Sequence, residues 1–508
     1  MRTPLQSSTA RMRAPLLFSA LVIASCGLVY ELVAGTLASY LLGDSVTQFS
    51  TIIGTYLFAM GIGSWLSRYV RESLVENFVR IEILVGIIGG SAAAILFLVF
   101  AEVTQFRVAL YGLVTLIGVL VGLEIPILIR ILKDQFELGE LVARVLAADY
   151  VGALIASLLF PLLLVPHLGL IRTCFLFGIL NIAVAWLLLW KPAQLRHAGA
   201  HRFAASLALI VLVVGLVYSD HILAFSEQTQ YPGQPVFAKS TPYQRIVVTR
   251  EADDVRLFLN GNLQFSSRDE YRYHEALVHP LLSRMQARRV LVLGGGDGLA
   301  LREILKYPSV ESVTLVDLDP EITALFSRTG FLAAMNGGAL LSPKVHIVNA
   351  DAFVWLQSTH EQFDAAVVDF PDPSNYSVGK LFTVTFYRRL AAVLTPRGRA
   401  VIQSTSPLVA PRAFWCVEQT LQAAGLTTAA YHALVPSFGE WGFVLAGRAL
   451  PDMPAHLPEH LRFVSPAVLQ EMFSFPPDMQ RVPTEVNRLD NQVLVRYYEA
   501  EWGRYLAE

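Results

Sequence analysis

Apolar and polar positions divide the chain into two stretches of different grain. Up to about Leu223 the apolar residues form long runs, and a bilayer-crossing helix needs about 20 of them. Seven runs reach that length, at about 16–42, 48–68, 81–101, 108–129, 145–166, 170–190 and 203–223. The first is too long, and followed by too many others, to be only a cleaved leader. After Tyr231 short apolar runs alternate with turn formers. Val236–Ser267 reads as β-rich: Gln244–Thr249 alternates, and Val255–Phe258 and Leu263–Phe265 flank Asn260-Gly261. That pair accepts the positive φ of a type I′ turn, so a hairpin is predicted. A helix should follow from about Glu270 to Arg284.

Composition sharpens the division. Hydrophobic residues make up 54% of 508, with mean hydropathy +0.49, which is a membrane-class balance rather than that of an ordinary soluble enzyme. The net charge of -2 gives no argument for nucleic acid as a partner. Cys26, Cys174 and Cys416 are far apart, so neither a disulfide framework nor a zinc site is suggested.

Within the apolar half, Gly61-Ile62-Gly63-Ser64 and Gly89-Gly90-Ser91-Ala92 would let helices approach closely. Glu31, Glu124 and Asp149 fall inside or at the edges of spans, where an ionisable group is costly. Each is expected to pair with a backbone donor or an interhelical Arg and so fix the bundle. A path or recognition site for a cationic amine is the alternative. Basic residues concentrate at Arg2, Arg11 and Arg13, at Arg68, Arg71 and Arg80, at Arg130, Lys133 and Arg144, and at Lys191, Arg196 and Arg202. The alternate loops hold only Arg107 and Arg172. The positive-inside rule then puts the N-terminus in the cytoplasm. Seven crossings would place the second half outside, although its cytosolic type of substrate, argued below, favours a cytoplasmic domain.

The second half carries its polar residues at strand ends. Arg289–Leu293 is a buried strand running into Gly294-Gly295-Gly296-Asp297-Gly298, where glycines let the backbone come close to a ligand. Alone that turn fits any dinucleotide or sulfonium site. Ser312–Asp317 ends in an acid able to accept two ribose hydroxyls. Val345–Asp351 ends in one placed for an adenine amino group, and Phe363–Asp369 leads into Phe370-Pro371-Asp372-Pro373. Open α/β sheets bind ligands at such carboxyl ends. A helix N-cap is the structural alternative for any one of these acids, but not for the set.

Taken together, Gly294–Gly298 with Leu301-Arg302-Glu303, the stretch Leu259–Glu275 and the Asp369-x-x-Asp372-Pro373 loop resemble the spermidine synthase (polyamine aminopropyltransferase) family. The resemblance runs through about Val236–Gly447, and the apolar half is similar to that family's membrane-attached bacterial branch. It implies a multi-pass α-helical membrane domain followed by α/β, with a small β-rich domain plus a Rossmann-like, methyltransferase-type parallel sheet. The expected boundaries are 1–224, 225–283 and 284–508, the last with a C-terminal helical extension. The implied donor is decarboxylated S-adenosylmethionine and the implied acceptor putrescine, giving spermidine and methylthioadenosine. Gln244, Gln264 and the Gly294 turn would bind the donor, Asp317 its ribose, and Asp351 with Ala352 its adenine. Asp297, Tyr273 and His274 would face the aminopropyl group and the amine. Asp369 would be the general base, and Asp372 would hold the acceptor's far ammonium.

Chemistry fits these residue types. A sulfonium already activates its neighbouring methylene, so no metal is called for. An alkylammonium with a pKa near 10 must lose a proton before it attacks, and a carboxylate can take it. Asp297 would attract the donor's free ammonium and repel the carboxylate of intact S-adenosylmethionine. Simpler roles stand beside these: Tyr273 and His274 as packing, Gln264 as hairpin surface, Asp372-Pro373 as a turn. The loop departs from the soluble family members, which carry two small residues between the paired Asp. A family tyrosine in a late turn corresponds here to Phe438, and Glu440 is the nearest polar substitute. Two other functions remain open: an alkyl or methyl transferase using intact S-adenosylmethionine, and a polyamine transporter with a sensory domain. The expected location is the inner cell membrane, in contact with lipid, and a homo-oligomer is allowed.

Overall fold

A computed structural model describes residues 13–42, 45–102, 106–134, 136–190, 197–450 and 455–505. Arg2, Arg11, Lys191 and Arg196, counted above for orientation, lie outside the described residues. The chain divides into two compact units, Met1–Pro235 and Val236–Glu508.

In the first unit the apolar runs are helices: α1 (Arg13–Leu42), α2 (Ser45–Leu66), α3 (Leu74–Glu102), α4 (Phe106–Leu132), α5 (Leu138–Leu159), α6 (Val165–Leu189) and α7 (Ala198–Val217), then the polar α8 (Ser219–Gln230). Among the described residues six helical stretches are long and apolar enough to cross a membrane, where the run pattern suggests seven. The difference is that α5 and α6 form one stretch, Leu138–Leu189, of 52 residues. At 1.5 Å per residue that is about twice a bilayer core. A π-helical segment, Phe160–Leu164, and a non-helical Gly169 (φ 73°, ψ 176°) interrupt it. Close packing falls on particular glycines. A Cβ at Gly63 would lie 2.0 Å from the Val119 carbonyl oxygen, and one at Gly122 would lie 2.2 Å from that of Met60, so α2 and α4 touch through backbone. Gly61, in the same small-residue stretch, has no described neighbour that its Cβ would meet.

The second unit opens with an antiparallel sheet of β1 (Gln234–Ser240), β2 (Arg245–Glu251), β3 (Asp254–Leu259) and β4 (Asn262–Ser266). Asn260 (φ 50°) and Gly261 (φ 84°) make the tight turn between β3 and β4 that the Asn-Gly pair predicts. After α9 (Glu270–Leu282) the larger sheet alternates with helices: β5 (Arg289–Gly294), α10 (Leu299–Ile304), β6 (Ser312–Asp317), α11 (Pro320–Arg328), β7 (Val345–Asn349), α12 (Ala352–Ser358), β8 (Phe363–Asp369), α13 (Val384–Val393), β9 (Leu394–Gln403), α14 (Pro411–Ala423), β10 (Thr427–Val435) and β11 (Gly439–Gly447). A last helix, α15 (Val493–Tyr505), follows.

The strand order is β10-β11-β9-β8-β5-β6-β7, with β9, β8, β5, β6 and β7 parallel and β10 and β11 antiparallel. This is the Rossmann-like, methyltransferase-type sheet. Both faces are buried, as continuous apolar strands require. Val290, Val292, Ala365 and Val367 pack toward α9 and α10, while Leu291, Leu293, Ala366 and Val368 pack toward α13, α14 and α15. The chain leaves β5 toward β6 on one side, and β8 returns on the other. That reversal opens a crevice at the carboxyl ends of β5 and β8.

Candidate active site

The crevice is built on one close approach. Gly294 pairs in register with Asp369 across β5 and β8. Its φ is 82°, and a Cβ there would sit 2.2 Å from the Asp369 carbonyl oxygen, so only glycine fits. The turn then bends over β6. The Gly296 amide donates to Asp317 Oδ2 at 3.0 Å and the Asp319 amide to Oδ1 at 2.9 Å. Asp297 is buried, accepts from the Leu299 amide at 2.9 Å, and its carbonyl takes the Asn336 side-chain amide at 2.8 Å. Burial pushes both Asp317 and Asp297 up to about 6; His274 opposes the rise at Asp297 and Asp369 adds to it.

Helix α9 supplies the next two groups. Tyr273 donates its hydroxyl to Asp369 Oδ1 at 2.6 Å. Burial raises Asp369 above the usual carboxylate range, against the charge of His274 and the Tyr273 hydrogen bond. His274, 2% exposed, places Nδ1 2.9 Å from Glu270 Oε2 and 2.8 Å from the Glu270 carbonyl. Burial alone would lower its pKa, but the bonded Glu270 carboxylate lifts it to about 9. Glu270 is itself held by both Arg302 terminal nitrogens, at 2.9 Å each. The Tyr273-His274 pair is therefore more than packing: it brings one hydroxyl and one positive charge to the acids.

Asp372 is held from several directions. Gln403 Nε2 approaches Oδ1 at 3.3 Å, Thr405 Oγ1 donates to Oδ2 at 3.1 Å, and Tyr498 adds a hydroxyl. Burial pushes Asp372 up to about 6, and these three donors hold it down. Trp441 Nε1 reaches Gln403 Oε1 at 3.2 Å and Trp502 Nε1 reaches Thr405 Oγ1 at 3.1 Å. Sequence reasoning missed Gln403, Thr405, Tyr498 and Trp502. The available signal was Tyr498-x-x-x-Trp502, an aromatic pair on one face of a late helix. Phe438 has no hydroxyl to offer; its ring packs on Tyr273 at 5.9 Å and Trp441 at 5.0 Å. Glu440 does not replace it, because His432 Nδ1 holds its Oε1 at 2.5 Å.

Other expected residues stand further out. Gln244 donates to Asp319 Oδ2 at 3.0 Å, beside Thr241 Oγ1 at 2.7 Å, and so reaches Asp317 only through the Asp319 backbone. Gln264 is half-buried, and its amide turns back to the Asn262 carbonyl at 3.1 Å. The third strand ends at Asn349, and Asp351 begins the next helix: it caps α12 through the Phe353 amide at 2.8 Å and pairs with Lys380 at 2.6 Å. For that acid the N-cap alternative holds. Ala352 is buried behind it. The residues gathered at the crevice are thus Tyr273, His274, the Gly294 turn, Asp297, Asp317, Asp369 and Asp372.

Residues 270–449 match the spermine/spermidine synthase domain. A polyamine aminopropyltransferase of Leptospira interrogans is 53% identical over 497 residues, 97% of this chain and 100% of that one. Polyamine aminopropyltransferase 2 of Ralstonia nicotianae is 57% identical over 97% of this chain and 99% of its own. Polyamine aminopropyltransferase 1 of Streptomyces coelicolor is 40% identical over 99% and 97%. With full-length relatives at this identity, the chain belongs to the polyamine aminopropyltransferase family and is an enzyme of that kind.

Proposed function

We propose that the chain transfers the aminopropyl group of decarboxylated S-adenosylmethionine to putrescine, releasing spermidine and methylthioadenosine. The observation that carries this reading is the charge of the crevice. Asp297, Asp369 and Asp372 surround Tyr273, and His274 is the cation that bears on the first two. Buried carboxylates with too little counter-charge bind cations well. The donor brings a sulfonium and an ammonium, and the diamine brings two more positive charges.

Asp369 takes the proton. As the amine nitrogen forms its bond to the methylene, the carbon–sulfur bond breaks, its electron pair goes to sulfur, and the sulfonium becomes a neutral thioether. The proton leaving nitrogen passes to Asp369, held in place by Tyr273. A desolvated carboxylate is a stronger base than one in water. Asp297 sits where an aminopropyl ammonium is favoured and a donor carboxylate repelled. Asp372, fixed by Gln403, Thr405 and Tyr498, receives the amine's distal ammonium.

The helical unit is proposed to lie in the inner membrane, with the transferase domain on the cytoplasmic side where the donor is made. Length and apolarity of its helices support the first part. A fluorescent-protein fusion after Tyr231 should be bright and an alkaline-phosphatase fusion there inactive, with the opposite pattern placing the domain outside.

Two kinetic outcomes are expected. Asp369→Asn should lower kcat by roughly 10²–10⁴-fold, the usual worth of a positioned base, with donor affinity by calorimetry nearly unchanged. Wild-type activity would speak against Asp369 as the base. For pH, Asp297 and Asp372 must be ionised and titrate near 6 rather than near 4. So kcat/KM should fall as pH drops through 6, a limb absent if these acids titrated normally. Removing a donor that lowers Asp372 should move its titration upward. Tyr498→Phe is therefore expected to shift the acid limb to higher pH and raise the amine KM roughly tenfold, with kcat little changed. An unmoved limb and KM would remove Tyr498 from the acceptor's support.

A further inference from the structure

Buried acids outside the crevice differ in what holds them. In the helical unit neither carboxyl oxygen of Glu124 takes a hydrogen bond from a described residue, so the pairing expected for it is not found. In the transferase unit Glu270, one turn before His274 on α9, is bonded on both oxygens. Arg302 grips it with two terminal nitrogens, and Oε2 also lies 2.9 Å from His274 Nδ1. Burial works against its ionisation, but the bonds to His274 and Arg302 outweigh that and hold Glu270 below the usual carboxylate range. The proton on the facing imidazole nitrogen is thereby fixed. Its two neighbours there, the Glu270 carboxylate and the Glu270 carbonyl at 2.8 Å, only accept hydrogen bonds. Nδ1 must carry a proton, so gain or loss of charge falls to Nε2.

Arg302 reaches further than Glu270. Its Nη1 also donates to the Met335 carbonyl at 2.8 Å. The next residue, Asn336, gives its side-chain amide to the Asp297 carbonyl at 2.8 Å and to that of Phe326 at 3.2 Å. One guanidinium therefore ties His274 and the turn that carries Asp297 into the same framework. Its Nε goes to Glu303 Oε1 at 2.9 Å. Glu303 is buried too, and its Oε2 takes Lys306 at 2.6 Å and His279 Nε2 at 3.0 Å. Arg302 thus divides its charge between two carboxylates, and Glu270 keeps a share for His274. Arg302 and Glu303 belong to the Leu301-Arg302-Glu303 stretch singled out in the sequence, for which the transfer chemistry has no other use.

The surroundings of His274 give the network its purpose. Glu270 and Tyr273 come from its own helix, Asp297 from the glycine turn, Asp369 from the end of β8, and Arg302, through Glu270, from α10. Several buried carboxylates in one crevice repel each other and would hold protons in the empty enzyme. A substrate cation would then have to displace a proton in order to bind. One imidazolium among them keeps the acids ionised before any substrate arrives. It can do so only if it stays charged where burial favours the neutral ring.

We propose that Glu270 and Arg302 are positioning residues of the transfer reaction. Through the Nδ1 hydrogen bond they hold His274 as an imidazolium, and its charge keeps Asp297 and Asp369 ionised in the free enzyme. Once donor and amine are bound, their own positive charges do the same. The network therefore governs substrate capture more than the chemical step. This rests on the roles proposed above for Asp297 and Asp369.

The test pairs a direct titration with kinetics, both on the full-length protein in detergent. With isotope-labelled histidine, the magnetic-resonance signal of His274 is the one lost in His274→Gln. In wild type it should remain that of an imidazolium through neutral pH and titrate at about 9. In Glu270→Gln, with burial unopposed, it should titrate at or below about 6.5. The acid limb of kcat/KM should then move up by about one pH unit, the lower end for losing an opposite charge nearby. The limb of kcat, which reports the loaded enzyme, should move far less. In a His274→Gln background Glu270→Gln should add no further shift, because its route is gone. A His274 that titrates at or below about 6.5 in wild type, or a Glu270→Gln enzyme whose kcat falls while its acid limb stays in place, would overturn the proposal. Should Glu270→Gln not fold, the wild-type titration alone decides. A wild type that titrates as expected but transfers no aminopropyl group would count against the function proposed above and not against the charge held on His274.

Discussion

The transferase site depends on a backbone contact before it depends on any side chain. β5 and β8 are adjacent and parallel, and their register sets Gly294 against Asp369. Because nothing larger than hydrogen fits at Gly294, the glycine turn can lie directly over the end of β8. Asp369, the proposed base, then stands at the floor of the crevice, with the glycine turn as its wall. The same turn reaches Asp317 through the Gly296 amide, so the acid at the end of β6 is positioned by the backbone as well. Strand order puts this contact at the one place where connections diverge to both sides of the sheet.

Around that contact the structure concentrates negative charge and limits what offsets it. Arg302 is spent on Glu270, and Glu270 on His274, so among the described residues His274 is the group that offsets Asp297 and Asp369. On the proposed function the remaining imbalance serves recognition: a cationic donor and a dicationic acceptor would relieve it, and an added carboxylate would worsen it. Asp372 is the exception in having its own donors, two from the β9 end and one from α15. The Asp372 end of the crevice is therefore tied to α15. Trp441 and Trp502 brace the same residues, which makes that end stiffer than a solvent-facing loop.

Much of this was legible in the sequence, and the misses have definite physical causes. Strand ends at Gly294, Asp317 and Asp369 could be located because buried parallel strands are continuous apolar runs that stop abruptly. Asp351 lies two residues past β7, where an acid reads the same in sequence whether it faces a ligand or caps a helix. The structure shows the cap, through the Phe353 amide, and a pairing with Lys380. Tyr498 was missed because its partner Asp372 is remote in sequence, and the Tyr498-x-x-x-Trp502 pair marks a helix face without saying what it meets. The 52-residue stretch reads as two runs, because the break at Gly169 matters more than continuity of the helix.

The central claim is that the crevice selects a decarboxylated sulfonium donor and moves its aminopropyl group to a diamine. Incubating the purified full-length protein with putrescine and either decarboxylated or intact S-adenosylmethionine, and identifying products by mass spectrometry, tests it most directly. The account predicts spermidine and methylthioadenosine in equal amounts from the decarboxylated donor and no transfer from the intact one. A methylated amine formed from intact S-adenosylmethionine, with no aminopropyl transfer from the decarboxylated donor, would contradict it.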